Sequence, residues 1–284
     1  MSVPPKPSPT ITVIVAVYNG AKTLQQCISS VSDQSYGHKQ LIIIDGASRD
    51  DTVEILKLND CVIDYWISES DTGIYSAWNK ALMRTAGDWV CFLGSDDFFT
   101  DKRVLEVMAE KLVAAPRHIN VVYGQTMLLT ESGSELFRVG QPWEKMKRRF
   151  TQVMCLPHPA VMHRHSLFLQ HGTFDESFRI AADYEFLLRE LKFGNAVFIP
   201  EVTLTAMRQG GISSTPANTI LSLEEVRRAQ RKHGILMPGR MWTLALARAY
   251  IRLFLWNSIG EKLTRKLLDI GRSLLRLPPY WTKM

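Results

Sequence analysis

Between residues 11 and 93 the chain alternates short β-branched runs with helical patterns. Each of three runs stops at a cluster of small polar residues. The run ITVIVAV (11–17) is followed by Tyr18-Asn19-Gly20 and a helical pattern over 23–31. LIII (41–44) ends at Asp45-Gly46, with a loop to 51 and a helix over 52–58. A short strand at 65–68 precedes a helix over 74–85, stopped by Gly87. WVCFL (89–93) runs into Gly94-Ser95-Asp96-Asp97, and a helix follows over 101–114, ended at Pro116. Continuous apolar runs of this length suit strands buried on both faces, and their alternation with helices predicts βαβ units and a mostly parallel sheet.

The second half is more mixed. Short strands are expected at 121–123, 127–129 and 136–139, and helices at 166–171, 184–192, 220–232 and 240–256. The reading divides the chain into a flexible N-terminus (1–10), an α/β domain (11–215) and a C-terminal helical region (216–284). The proline-rich start has no apolar core of a signal peptide, and no run of about 18 uncharged apolar residues suggests a spanning helix. Cys27, Cys61, Cys91 and Cys155 form no CxxC pair. They predict neither a zinc site nor a disulfide framework and fit a reducing compartment.

Ligands of open parallel sheets bind beyond the carboxyl ends of the strands. That rule brings an aromatic, an amide and three carboxylates to one edge. Turn chemistry alone explains any one of these clusters, since Asn, Asp and Gly are ordinary turn residues, but explains all three together less well. GxGxxG, GxxxxGK[ST] and GxSxG are all missing, which argues against a dinucleotide fingerprint, a P-loop and a serine-hydrolase elbow. A nucleotide bound here would need a divalent metal against its phosphates, and Asp96-Asp97 are placed to hold one.

Five segments in order carry a family resemblance: TVIVAVYNG (12–20), IIIDGASRDDT (42–52), SESDTGIYSAWNKAL (68–82), AGDWVCFLGSDDFF (86–99) and FDESFRIAADYEFLLR (174–189). Together they resemble the inverting, GT-A fold glycosyltransferases of family 2, in particular the bacterial colanic-acid and capsule type. The resemblance implies a GT-A catalytic domain and transfer of a sugar from a nucleotide-diphosphate sugar to a glycan, in many relatives lipid-linked. It implies donor-binding roles for Ala16, Tyr18, Asn19, Asp45, Asp71, Asn79, Lys80 and Asp96. Asp97 is then the ligand of Mg²⁺ or Mn²⁺ within a DxD-type motif, and Asp183 the general base. Asp183 also reads as the N-cap of a helix, and Glu185 is the alternative base. His158 and Arg208 fall on the acceptor or diphosphate side, and Gly210-Gly211-Ile212-Ser213 reads either as a lid or as a linker. His163, His165 and His171 match no common zinc spacing and read as surface or hydrogen-bonded histidines.

The net charge of +6 is uneven. Residues 240–284 hold nine Lys or Arg against two Asp or Glu, which leaves the first 239 residues at −1. On a helix over 261–277, Lys262, Arg265, Lys266, Asp269, Arg272 and Arg276 share one side. Leu263, Leu267, Ile270, Leu274 and Leu277 share the other. Such a helix, with Trp256, Tyr280 and Trp281 nearby, suits an anionic membrane surface. Its apolar side suits packing on the catalytic domain or a second subunit equally. Lipid-linked acceptors favour the membrane, and with it a cytoplasmic protein peripheral on the inner face of the plasma membrane. Two other functions compete. A nucleotidyltransferase making nucleotide-sugars would carry a Gly-rich basic loop after the first strand, which Tyr18-Asn19-Gly20-Ala21 is not. Nucleic-acid binding through the tail would leave the acidic strand ends unexplained, so no nucleic-acid partner is expected.

Overall fold

The computed structural model describes residues 8–130, 133–208, 215–274, 276–277 and 279–283. Most of the expected N-terminal flexible segment, and the stretch 209–214 with the lid-or-linker motif, lie outside the described residues.

The first half follows the expected alternation: β1 (Ile11–Val17), α1 (Leu24–Ser32), β2 (Lys39–Asp45), α2 (Thr52–Leu58), β3 (Tyr65–Ser68), α3 (Ile74–Leu82) and β4 (Trp89–Gly94). Then come β5 (Phe98–Phe99), α4 (Val104–Ala114), β6 (Val121–Leu129), β7 (Glu135–Val139), α5 (Trp143–Phe150), β8 (Val161–Arg164), α6 (Ser166–His171) and α7 (Ala182–Leu191). The chain continues through β9 (Val197–Arg208), α8 (Pro216–Lys232) and α9 (Arg240–Leu274). The strands form one sheet in the order β3-β2-β1-β4-β8-β6-β9-β5, with β7 on β6. The first four are mutually parallel, β8 runs antiparallel between β4 and β6, and β9 is parallel to β6.

Strand periodicity sorts the core. From β1, Ile11, Val13, Val15 and Val17 pack toward α1 and α4, while Ile14 packs toward α3 and α7. In β2 and β4 the same split puts Ile42, Ile44, Val90 and Phe92 on the second face. Side chains on successive residues of a strand point to opposite faces, so a run apolar at every position is buried on both.

Several expectations need correction. The segments 121–123 and 127–129 are one strand, β6, irregular opposite Gln125. The twelve-residue β9 is unforeseen because Pro200 and Glu201 interrupt its pattern. Helix α7 starts at Ala182 with Ala181 as its N-cap residue, so Asp183 lies inside the first turn and does not cap it. The tail is helical over 240–274 but broken at Gly260, whose φ of 77° only glycine adopts readily.

Candidate active site

Register levels the strand ends. Val17 pairs with Asp45, Asp45 with Ser68, and Ala16 with both Ile44 and Gly94. The loops leaving these ends are stitched together. Asn19, with a φ of 52°, donates its N–H to Ser48 Oγ at 2.7 Å, and its side-chain oxygen accepts from Arg49 N at 2.8 Å. Gly20 N donates to Thr52 Oγ1 and Ala21 N to Asp50. A Cβ on Gly20 would lie 3.2 Å from Ser95 Oγ, so the β1 and β4 loops are in contact. Tyr18 is left 60% exposed at this edge, a ring free to face a ligand.

Asp45 has no exposed surface. Its carboxylate accepts from Ser48 N at 3.0 Å, from the Ser48 hydroxyl and from Ser68 Oγ at 2.5 Å. In this conformation it shapes the loop that borders the site, while half-buried Asp71 is the carboxylate facing that loop. Asp71 Oδ1 accepts from Gly73 N at 2.9 Å, and a Cβ on Gly46 would lie 3.0 Å from its Oδ2.

Asn79 and Lys80 are engaged elsewhere. Asn79 clamps the backbone N–H and C=O of Phe174 and donates to Glu176, which also accepts from Thr72. Lys80 pairs with Glu69 at 2.7 Å. Both residues thus hold the rim in place.

The turn after β4 is built around Gly94, where a Cβ would come within 2.7 Å of Asp96 Oδ1 and 2.9 Å of Asp97 Oδ2. Gly94 N donates to Asp97 Oδ2 at 3.1 Å, whereas Asp97 Oδ1 is buried with no hydrogen-bond partner among the described residues. Burial, and secondarily the neighbouring Asp96, push Asp97 up to about 8. A walled-in carboxylate with a bare oxygen beside a second carboxylate is the donor set a divalent cation completes, with phosphate oxygens and water filling the remaining positions. Among the described residues no cluster of three or more His, Cys, Asp or Glu forms a self-sufficient metal site. Arg208, at the end of β9, is carried to this turn by the pairing of Phe98 with Ala206. Its guanidinium lies 5.6 Å from the Phe98 ring centre, bonds Gln26 and attenuates the rise at Asp97.

Asp183 approaches from the other half of the chain. Its Oδ1 accepts from Tyr184 N at 2.8 Å and lies 3.3 Å from the Tyr75 hydroxyl, which donates to Ile180 O at 2.6 Å. Burial pushes it up to about 6. Tyr75 sits in the first turn of α3, directly after the Asp71–Gly73 turn. That one helical turn therefore joins the Asp71–Gly73 turn to the segment carrying Asp183. Tyr75 was not among the expected site residues, although a tyrosine in a helix's buried stripe needs a partner for its hydroxyl and so signals one.

Glu185 faces away and is fully buried. It accepts from Arg189, Lys232 Nζ at 2.9 Å and His233 Nε2 at 2.8 Å. Burial pushes its carboxyl up, but these partners hold it below the ordinary value. An acid so paired stabilises α7 against α8 and is in no position to take a proton from a substrate. His158 lies in an aromatic stack, 5.3 Å from the Trp78 ring and 5.6 Å from Phe92, and burial lowers it to about 3. It is neutral and 8% exposed, a floor beneath α3. Fully buried His163 joins the same stack, a correction to its reading as a surface or hydrogen-bonded residue.

The tail differs from its expected amphipathic partition. Asp269 accepts from Tyr280 N, Trp281 N and both Thr282 N and Oγ1, folding the C-terminal turn back on α9. Arg265 donates to Trp281 O, Arg272 lies 5.4 Å from the Tyr280 ring, and Arg252 lies 4.5 Å from the Trp281 ring. These three cations face the chain's own terminus. Leu263, Leu267, Ile270, Leu274 and Leu277 are exposed, so the apolar side does not pack on the catalytic domain.

Comparison with known proteins places this geometry. The Mannosyltransferase PcManGT from Pyrobaculum calidifontis, solved with GDP-Man and Mn²⁺, superposes with a TM-score of 0.62 at 16% identity, covering 99% of this chain and 85% of that one. S. aureus TarS 1–349 in complex with UDP-GlcNAc gives a TM-score of 0.61 at 16% identity over 85% of this chain and 71% of that one. These likenesses show the fold, which is the GT-A type with a helical C-terminal region. A PGL/p-HBAD biosynthesis glycosyltransferase of Mycobacterium bovis is 26% identical over 258 residues, covering 86% of this chain and 95% of its own. An uncharacterized glycosyltransferase of Mycobacterium tuberculosis is 35% identical over 184 residues, covering 64% of this chain and 69% of its own. The model of glycosyl transferase family 2 matches residues 12–174, more than half of the chain, and the protein belongs to that family.

Proposed function

We propose that this protein transfers a sugar from a nucleotide-diphosphate sugar to a glycan hydroxyl with inversion at the anomeric carbon. The observation that carries the reading is the buried Asp97 oxygen, without a hydrogen-bond partner among the described residues and beside Asp96, at the levelled ends of β1, β2 and β4. Tyr18, the Ala16–Asn19 turn and Asp71 border the space for the nucleoside, with Asp45 shaping the loop behind it. Asp97, with Asp96 beside it, would hold the Mg²⁺ or Mn²⁺, and Arg208 adds a cation on the diphosphate side. When bound, the metal neutralises charge that develops on the leaving diphosphate. PcManGT was solved with GDP-Man and Mn²⁺, and TarS with UDP-GlcNAc, which supports a nucleotide-sugar donor here.

The reaction is one displacement. The acceptor oxygen forms its bond to the anomeric carbon as the bond to the diphosphate oxygen breaks. The diphosphate leaves with that electron pair, and the acceptor's proton goes to a carboxylate oxygen of Asp183. Tyr75, kept protonated by burial, donates to Ile180 O at 2.6 Å, which sets its hydroxyl 3.3 Å from Asp183 Oδ1. Membership in a family of glycosyl transferases favours this over nucleotidyl transfer.

The tail supplies docking. Among the described residues no helix is long and apolar enough to cross a membrane. The exposed leucine and isoleucine side of α9, flanked by exposed Lys262, Lys266 and Arg276, fits the interface of an anionic leaflet, where each cation contributes about 1 kcal/mol. On this reading the enzyme works at the cytoplasmic face of the plasma membrane, beside a lipid-linked acceptor. Because α8 is tied to α7 through Glu185, the tail proper begins after it. One experiment compares the full chain with a chain ending at Pro238. Both are expected to release nucleoside diphosphate from a UDP-, GDP- or dTDP-linked hexose with Mn²⁺, and only the full chain to bind anionic vesicles, less so as salt rises. No release by the full chain refutes the enzymatic reading. A full chain that ignores the vesicles at low salt refutes the membrane role.

A further inference from the structure

We propose that Glu225, on α8, is a positioning residue for Asp183: its carboxylate gathers three consecutive backbone N–H groups and so fixes the segment from which the base projects. The proposal rests on the reading of Asp183 as the general base. Glu225 Oε1 accepts from Arg179 N at 2.7 Å, and Oε2 from Ile180 N at 2.8 Å and Ala181 N at 2.9 Å. The residue is 7% exposed, so these bonds form away from water. Helix starts leave N–H groups without partners, normally met by a Ser, Thr, Asp or Asn side chain at the cap. Here the cap residue is Ala181, followed by Ala182, and neither offers one. Glu225, 44 residues further along the chain, meets the N–H of this cap residue and of the two before it, while Asp183 itself meets the N–H of Tyr184 in the first turn.

Glu225 is the first of three grips along one face of α8. Arg228, three residues on, donates to Ser177 O at 2.8 Å and lies 3.7 Å from the Phe178 ring centre. Lys232, seven on, pairs with Asp175 at 2.7 Å. On the opposite side, Asn79 and Thr72 hold Phe174 and Glu176. Residues 174–181 are therefore clamped between the donor-side helix α3 and α8, and Asp183 follows immediately. A reacting group moved by about 1 Å loses on the order of 10²-fold in rate. The whole of α8 lies beyond the residues matched by the family model, which end at 174.

The groups facing Asp183 are Tyr75 from α3, Glu225 from α8 and the N–H of Tyr184. Glu185, on its own helix, is turned to Arg189, Lys232 and His233. The charge of Glu225 adds to burial in favouring the protonated form of Asp183, while the bond from Tyr184 N and the nearby Tyr75 hydroxyl oppose it.

The test uses full-length E225Q, with nucleoside diphosphate release from a UDP-, GDP- or dTDP-linked hexose as the readout. The glutamine has nearly the shape of glutamate, but only one oxygen to accept three N–H groups. The expected result is a kcat lower by about 10-fold or more with donor KM within about twofold. The acid limb of the pH profile should move to lower pH, and the amides of 179–181 should exchange faster. E225D, which keeps the charge on a shorter arm, should restore part of kcat. Wild-type kcat and an unmoved acid limb in E225Q would overturn the proposal, even with faster exchange, since the contact would then be merely structural. Unchanged amide exchange would overturn it too. If E225Q does not fold, E225D carries the test, and wild-type kcat there overturns the proposal. D183N measured in parallel separates the two readings. An active D183N removes the base assignment and this proposal with it, whereas an inactive D183N beside a wild-type E225Q removes only the proposal.

Discussion

Replacing Asp97 by Asn is expected to abolish sugar transfer and leave the fold intact, with a melting temperature at or above that of the wild type. The side chain is 4% exposed and has one oxygen without a hydrogen-bond partner among the described residues. Its folded value, about 8, lies above the ordinary 3.8. The sign follows from proton linkage. As pH rises from about 4 to about 8 the unfolded chain releases this proton and the folded chain keeps it, so folding loses stability across that window. Asn has the same shape and no charge, and removes the loss. The gain should be largest near pH 8 and absent near pH 4. Catalysis pays in the other direction, because a metal that stabilises a leaving group contributes several kcal/mol, and each 1.36 kcal/mol is tenfold in rate. Melting curves across pH, alongside turnover with Mn²⁺, check both halves. Wild-type turnover by D97N would refute the metal assignment, and a collapsed fold would refute the account of the buried charge.

The second large effect is at Asp183. D183N keeps the shape and the bond from Tyr184 N, but its amide cannot take up the acceptor's proton. Turnover should fall by about 10²-fold or more, with donor affinity nearly unchanged. In the wild type, burial sets the folded value near 6, so the base is ionised above that pH and protonated below it. Turnover should therefore decline as pH falls through about 6, and the residual activity of D183N should lack that step. A pH–rate profile of both proteins decides this. An unchanged rate in D183N would move the base elsewhere. Glu185 is a poor substitute, since Arg189, Lys232 and His233 already surround it.

The parallel half of the sheet was legible because β1 and β4 are apolar at nearly every position and β2 over Leu41–Ile44, and the residues ending them are polar in a way that turn chemistry alone does not explain. The other half was harder to read. Pro200 and Glu201 mask β9, and His163 and Arg164 mask the short β8. Helix α5 is so charged that its buried Trp143, Met146 and Phe150 are hidden unless the spacing of three and four is followed. The same holds at the site. The positions of Asp97 and Asp183 followed from motifs, but the partners of each side chain did not. Asn79 and Lys80 lie in the expected segment and yet bond Glu176 and Glu69. Ser48 and Ser68, small and common residues, close off Asp45. The Asn79–Glu176 bond depends on three-dimensional approach between segments 97 residues apart, which no local pattern encodes. The tail shows the same limit, since helical phasing placed Arg265 and Arg272 on an outer face while the folded C-terminal turn takes them inward.

The central claim is that the ends of β1, β2 and β4 form one cation-dependent nucleotide-sugar site. Thermal melting of the full chain with UDP-, GDP- and dTDP-hexoses, in Mn²⁺ and in excess chelator, tests it most directly. A ligand at about 100 times its Kd stabilises a folded protein by about 2.7 kcal/mol, which for a chain of this size is a rise of about 5 °C or more. One nucleotide class is expected to give that rise with Mn²⁺, to lose most of it in chelator and to lose it in D97N. No shift from any of the donors, or an equal shift in chelator and in D97N, would contradict the account.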